Sequence, residues 1–170
     1  ELEKMGLDGF VSSSSNVDNE IEVLKSKSLA REVVERLNLF VTYKDKDEFP
    51  VRELYRTSPI TVSLTPQEAD NLPKPMEVAM ILQPSGAMDV QITVGEKEYQ
   101  KQFDKLPAVF PTDEGTVAFF ANSDTLTSVR PDSVTTERHI TAFIHRPSSV
   151  AKGYTNSLSI AATSKTTSVA

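Results

Sequence analysis

Hydrophobic periodicity is strongest between Val17 and Leu39. Apolar residues fall at Val17, Ile21 and Leu24, then at Leu29, Val33, Val34 and Leu37. This is the i, i+4, i+7 spacing of helices that each bury one stripe. The register slips across Lys25-Ser26-Lys27-Ser28, which predicts two consecutive helices. Ser15 or Asn16 suits the first as a cap and Ser26 or Ser28 the second, because a short oxygen-bearing side chain can accept a free first-turn amide. Glu32 and Arg36 stand four apart in the favourable order, and Asn38 suits the left-handed position that ends a helix. The pattern implies that Ile21, Leu24, Val33 and Leu37 are buried against a sheet, together with Ile160.

Beyond Leu39 the period changes to two. Phe40–Tyr43 reads as a strand that breaks into the charged run Lys44-Asp45-Lys46-Asp47-Glu48. Arg56–Leu64 places Ile60, Val62 and Leu64 on one face of a second strand. Thr65 and Glu68 have capping-box spacing with Pro66 at the first position, so a helical turn follows. Met76, Val78, Met80 and Leu82 alternate with more polar neighbours, Pro84-Ser85-Gly86 turns the chain, and Met88, Val90, Ile92 and Val94 alternate again. That is a hairpin with one apolar face, which Gly95-Glu96 extends into a meander through Tyr99, Lys101 and Phe103. Further strands are expected at Thr116–Ala121 and His139–His145, then a short helix from Pro147 to about Tyr154, and a last strand at Leu158–Ala162. The fold class implied is α+β: a mixed sheet packed against N-terminal helices, with a β-meander insertion at about 76–121 in one domain spanning 1–170.

Composition narrows the chemistry. The 170 residues are 38% hydrophobic and 25% charged, enough for one core. A net charge of −6 disfavours nucleic acid as a partner, since phosphate binding needs clustered Lys and Arg. The chain has no Cys, so disulfides, thiolate nucleophiles and Cys-ligated zinc are excluded. It contains no apolar run of membrane-spanning length. It begins at Glu1 and ends in Thr166-Thr167-Ser168-Val169-Ala170, which reads as a piece excised from a longer protein.

No catalytic, cofactor-binding or metal-binding residue emerges. Nucleophile-elbow, zinc-protease and phosphate-loop motifs do not occur. His139 and His145 are six strand residues apart, roughly 20 Å at about 3.3 Å per residue, too far to share a metal. The carboxylate pairs Glu20 with Glu22 and Asp113 with Glu114 are sequence neighbours, not groups facing one another across a cleft as glycoside hydrolysis requires. Of Phe119 and Phe120, adjacent on a strand, one faces the core. Met76, Met80 and Met88 read as hairpin core.

The segment NEIEVLKSKSLAREVVERLNL, Asn19–Leu39, resembles the opening of the periplasmic domain of Wzz-type chain-length determinants, the polysaccharide co-polymerases. It is most similar to those fused to a bacterial tyrosine autokinase. NSLSIAATSKTTSVA, Asn156–Ala170, looks like the strand those proteins carry before their long helical region. The resemblance implies a non-enzymatic scaffold on the periplasmic face of the inner membrane, flanked by membrane helices. Subunits of the anchored parent would form a homo-oligomer that sets the length or export of a capsular, exo- or O-antigen polysaccharide. The partners implied are the polymerase, the export machinery and the growing polysaccharide. Within this reading the charged face of the second helix, Arg31, Glu32, Glu35 and Arg36, is the candidate subunit interface, because alternating signs suit a contact between unlike faces. The rivals are a non-catalytic carbohydrate-binding β-module and a periplasmic hydrolase.

Overall fold

The structure, a computed structural model, describes residues 17–20, 22, 26–54, 56–122 and 136–167, the last ten of these as backbone only. The expected cap at Ser15 or Asn16, and the side chains of Ile21, Leu24 and Ile160, lie outside the described residues. The chain divides into two compact units, Glu1–Leu37 with Ser148–Ala170, and Asn38–Pro147.

In the first unit, residues 17–20 and 22 are helical, Ser26 is extended, and helix α1 runs from Lys27 to Arg36. The two-helix reading of this segment therefore holds. Ser26 occupies the N-cap position, but its hydroxyl pairs with that of Ser28 at 2.8 Å and caps no amide. Asn38, at φ 52°, takes the left-handed conformation expected after the helix. The expected buried stripe is displaced. Val33 and Leu37 are 42% and 51% exposed, and the buried residue is Val34. One residue is about 100° of helix rotation. The face that Val34 shares with Lys27 and Arg31 is the one turned to the last helix, since Lys27 and Arg31 line a cleft with Ser148, Ala151 and Lys152.

That last helix corrects the C-terminal expectation. It spans Pro147–Thr167, so the segment read as a strand at Leu158–Ala162 is helical and joins no sheet. No proline or turn dipeptide follows Pro147 to stop the helix. Its hydroxyl residues fold back on their own backbone: Thr155 Oγ1 donates to the Lys152 carbonyl and Ser157 Oγ to that of Gly153, both at 3.0 Å. These bonds satisfy the hydroxyls within the helix without a partner from another element. The described part of the second segment carrying the family resemblance is thus helix where a strand is expected.

The second unit is built from two antiparallel sheets. Its elements are β1 (Val41–Asp45), β2 (Arg52–Glu53), β3 (Ile60–Ser63), α2 (Pro66–Asp70), β4 (Met76–Leu82), β5 (Met88–Val94), β6 (Lys97–Phe103), β7 (Ala108–Thr112), β8 (Gly115–Ala121) and β9 (Arg138–Ile144). With α1 preceding them, the last helix is α3. Six strands form one sheet in the order β2-β1-β9-β4-β5-β6, and β3-β8-β7 form the other. The class is α+β as the pattern implies. Every described pairing is antiparallel, so the sheets contain no mix of strand directions. The meander holds from β4 through β6, after which the chain crosses into the smaller sheet.

Alternation sets the core. Met76, Val78, Met80, Met88, Val90, Ile92, Ile140, Ala142 and Ile144 are buried on one face of the large sheet, and Ile60, Val62, Val117 and Phe119 on the small one. Side chains of the large sheet tie it to the small one. Tyr43 Oη accepts from the Val62 N–H at 2.9 Å and donates to the Val62 carbonyl at 3.4 Å. At the other side Phe103 meets Phe119 and Phe110 with ring centroids 5.8 and 6.0 Å apart. The capping box at α2 forms as expected, and Glu68 also accepts the Thr116 N–H, which fastens α2 to β8. Gly115, at φ +143°, admits this approach: a Cβ there would lie 2.9 Å from Leu64 Cδ1 and 3.1 Å from Glu68 Cβ.

Candidate functional site

Arg31, Glu32 and Arg36 of α1 are exposed and Glu35 is half-buried, and the four are paired within their own helix. Arg31 Nε meets Glu35 Oε1 at 2.7 Å and Arg36 Nη2 meets Glu32 Oε1 at 2.9 Å. The structure brings them together as two i, i+4 pairs, with the exposed Val33 and Leu37 beside them. The result is a helix surface on which apolar side chains stand among locally neutralised charges.

The histidines are not brought together. His139 is the second residue of β9 and is held by Asp47, whose carboxylate accepts the His139 N–H at 2.7 Å and approaches its Nδ1 at 2.9 Å. His145 lies just past the end of β9, where its N–H donates to the Phe40 carbonyl. Among the described residues no group of three His, Asp or Glu side chains could hold a metal ion. Glu20 and Glu22 are exposed on the first helical segment.

Asp113 and Glu114 form the tight turn between β7 and β8, and the first residues of β6 supply their partners. Glu114 accepts from Lys97 Nζ and from Tyr99 Oη, each at 2.7 Å. The Lys97 hydrogen bond, and then that of Tyr99, holds the Glu114 carboxyl below the usual carboxylate range. In turn the hydrogen bond with Glu114 raises both Lys97 and Tyr99. The two hydrogen bonds pin Glu114 in its charged form and fasten the β7–β8 turn to β6.

A concave surface lies on the outer face of β4, β5 and β6. Hydrogen-bond register places Ala79, Gln91 and Gln100 in one cross-strand row and Ile81, Asp89 and Gln102 in the next. All six line a groove of about 470 Å³. Its apolar side is Ala79 and Ile81 on β4, its middle is Gln91 and Asp89 on β5 and its far side is Gln100 and Gln102 on β6, with Asp89 accepting from Gln83 Nε2 at 3.3 Å. No aromatic side chain lines it. Of the pair beside the sheet junction, Phe119 is buried and Phe120 is 46% exposed.

At the opposite edge of the same sheet the β1–β2 loop carries Phe49, fully exposed, and Val51, half exposed. The root of this loop is firmly held. Asp45, buried at the end of β1, accepts from Arg138 Nη2 at 3.2 Å and from the Asp47 N–H at 3.0 Å. The Lys46 N–H donates to the His139 carbonyl, and Asp47 holds His139. The charged run read as a loop thus begins as strand, with Lys44 and Asp45 in β1.

Neither the groove nor the Phe49 loop stands out in the sequence. The signal for the groove is the polar half of the alternation, Gln91 with Gln100 and Asp89 with Gln102, which converges only once the turn at Gly95-Glu96 fixes the register. For Phe49 the only signal is an aromatic residue closing a run of charges. Comparisons of the chain with protein-family models, with curated proteins and with solved structures find no match.

Proposed function

We propose that this chain is the extracytoplasmic scaffold of an inner-membrane polysaccharide co-polymerase, acting by subunit contact and not by bond chemistry. The observation that carries the reading is the form of the segment 19–39. Its described residues fold as the helix, break, helix and left-handed stop that the periodicity and capping residues predict for the segment carrying the resemblance, and the second helix exposes Val33, Leu37 and the Glu32–Arg36 pair. Apolar side chains bordered by an ion pair suit a contact with a neighbouring subunit in which Val33 and Leu37 are buried and the charges stay at the wet rim. In this reading the membrane-anchored parent forms a homo-oligomer that engages the polymerase and export machinery and governs polymer length. A kinase domain on the parent is carried by the resemblance alone.

The experiment is a deletion of this domain from the parent, followed by sizing of the surface polysaccharide on a gel. Continued synthesis with an altered length distribution or surface amount is expected. Loss of all polymer, or an unchanged distribution, contradicts it.

The amide-lined groove favours the rival carbohydrate-binding reading, since carboxamides both donate to and accept from sugar hydroxyls. The lack of an aromatic platform among its lining residues ranks it second.

A further inference from the structure

We propose that the free edge of β6 receives an extended, basic segment of a partner polypeptide as an added strand of the large sheet. The inference stands on backbone geometry within residues 38–147 and is independent of the polymer or process that the parent serves.

Register fixes which way the backbone of β6 points. The Gln83 N–H donates to the Ala87 carbonyl, so with Leu82 opposite Met88 the odd-numbered residues of β5 bond to β4 and the even-numbered ones to β6. Their partners Lys97, Tyr99, Lys101 and Phe103 face β5, and Glu98, Gln100 and Gln102 turn their N–H and C=O groups outward. No hydrogen bond from a described residue reaches these outward groups.

The other three edge strands are guarded. β2 has two residues. On β3 the Ser58 hydroxyl bonds to both backbone groups of Ile60, and Tyr43 Oη to both of Val62. On β7 the outward positions are Val109 and Pro111, and proline has no N–H to offer. β6, by contrast, runs seven residues in unbroken register without Pro or Gly. Lysines often blunt an edge, but those of β6 are held on its inner face. Lys97 Nζ bonds to Glu114 at 2.7 Å, and Lys101 Nζ sits 5.3 and 5.9 Å from the ring centroids of Phe103 and Phe110.

A line of N–H and C=O groups repeating at about 6.8 Å, two residues of strand, is matched by another extended backbone and not by a sugar or a lipid headgroup. Side chains then select the partner. On the outer face Glu98 stands directly beside the added strand, with Asp89 one strand further in and Glu77 two. The three carboxylates make no ion pair with a described residue. Lys or Arg on the outer-facing positions of the added strand therefore meets an unopposed negative edge. A second copy of β6 brings another Glu98 instead, on a chain that itself carries −6.

The probe is the end-capped peptide VKVTVKV, whose Lys and Thr side chains share one face and which reads the same in either strand direction. Added to the full 170-residue chain, it is expected to slow hydrogen exchange of the Glu98, Gln100 and Gln102 amides at least tenfold. The Tyr99 and Lys101 amides, already bonded to β5, should be unchanged. Methylating the backbone nitrogens of the peptide's Lys and Thr residues, or replacing its lysines by glutamates, should weaken binding at least tenfold. Gln100→Pro, an edge proline like Pro111, should abolish protection of Glu98 and Gln102 while the circular dichroism spectrum is retained. Absence of protection, equal binding of the methylated or the glutamate peptide, or undiminished protection in a folded Gln100→Pro chain would each overturn the proposal. So would protection of the three amides on raising protein concentration alone, which would assign the edge to a second copy.

Discussion

Tyr43 shows how one hydroxyl can join two sheets. Its ring belongs to the large sheet and its oxygen satisfies both backbone groups of Val62, a residue with no exposed surface. Burial raises the Tyr43 pKa, partly offset by the Val62 hydrogen bond, so the neutral phenol is the form that the fold selects. Tyr43→Phe keeps the ring but strands a buried N–H, and should cost about 1–3 kcal/mol, read as a lowered denaturant midpoint at unchanged m value. Glu68 makes a complementary case at the surface. The hydrogen bond from Thr65 Oγ1, above all, holds its carboxyl below the ordinary value of 4.5, with the Thr116 and Thr65 N–H groups adding to it. A carboxylate depressed in the folded state contributes stability that is complete above its unfolded pKa and is lost as pH falls through the folded one. Glu68→Gln should therefore lower the melting temperature at pH 7, and the gap from the parent chain should narrow as the pH is taken below 4.5.

At the scale of elements, what could be read from the sequence was what is local. The β4–β5 hairpin, the Gly95-Glu96 turn, the capping box at Thr65 and the left-handed Asn38 each depend on a few adjacent residues, and each formed. What failed depends on neighbours distant in sequence. The α1 stripe could run through Val33 and Leu37 or through Val34, and only the position of α3 decides between them. β7 escaped notice because Pro111 argues against a strand, yet an edge strand opposite Thr116 tolerates it. The strand expected at 158–162 is a continuation of α3, because a short apolar run is not assigned to strand or helix by its local period alone. Of the candidate site, the α1 charges were legible as i, i+4 partners, whereas the groove required cross-strand register and Phe49 required knowledge of exposure. The pairing on α1 can be tested as an element property. Exchanging Arg31 with Glu35 and Glu32 with Arg36 keeps both pairs and should change stability by no more than about 0.5 kcal/mol, whereas Glu35→Arg with Arg36→Glu sets like charges four apart and should cost more. Thermal melts of the two variants would rank them.

For the whole molecule, the account joins a helical unit with an outward amphipathic surface to a two-sheet unit with a projecting loop and a groove. No helix among the described residues is long and apolar enough to cross a membrane, so in the proposed reading any anchoring comes from outside these residues. Tethering matters because anchored copies meet at a high effective concentration, which lets contacts too weak to hold free chains together close an assembly. The central claim is that this domain works through contact and not chemistry, and one measurement bears on it most directly: the length distribution of surface polysaccharide in cells whose parent protein carries Val33→Asp with Leu37→Asp, beside cells carrying His145→Ala. Both α1 positions are already exposed, so the fold should tolerate the change. The account predicts a shifted distribution from the α1 variant at normal protein level and an unchanged one from the histidine variant. An unchanged distribution from the α1 variant, with synthesis abolished by His145→Ala, would contradict it.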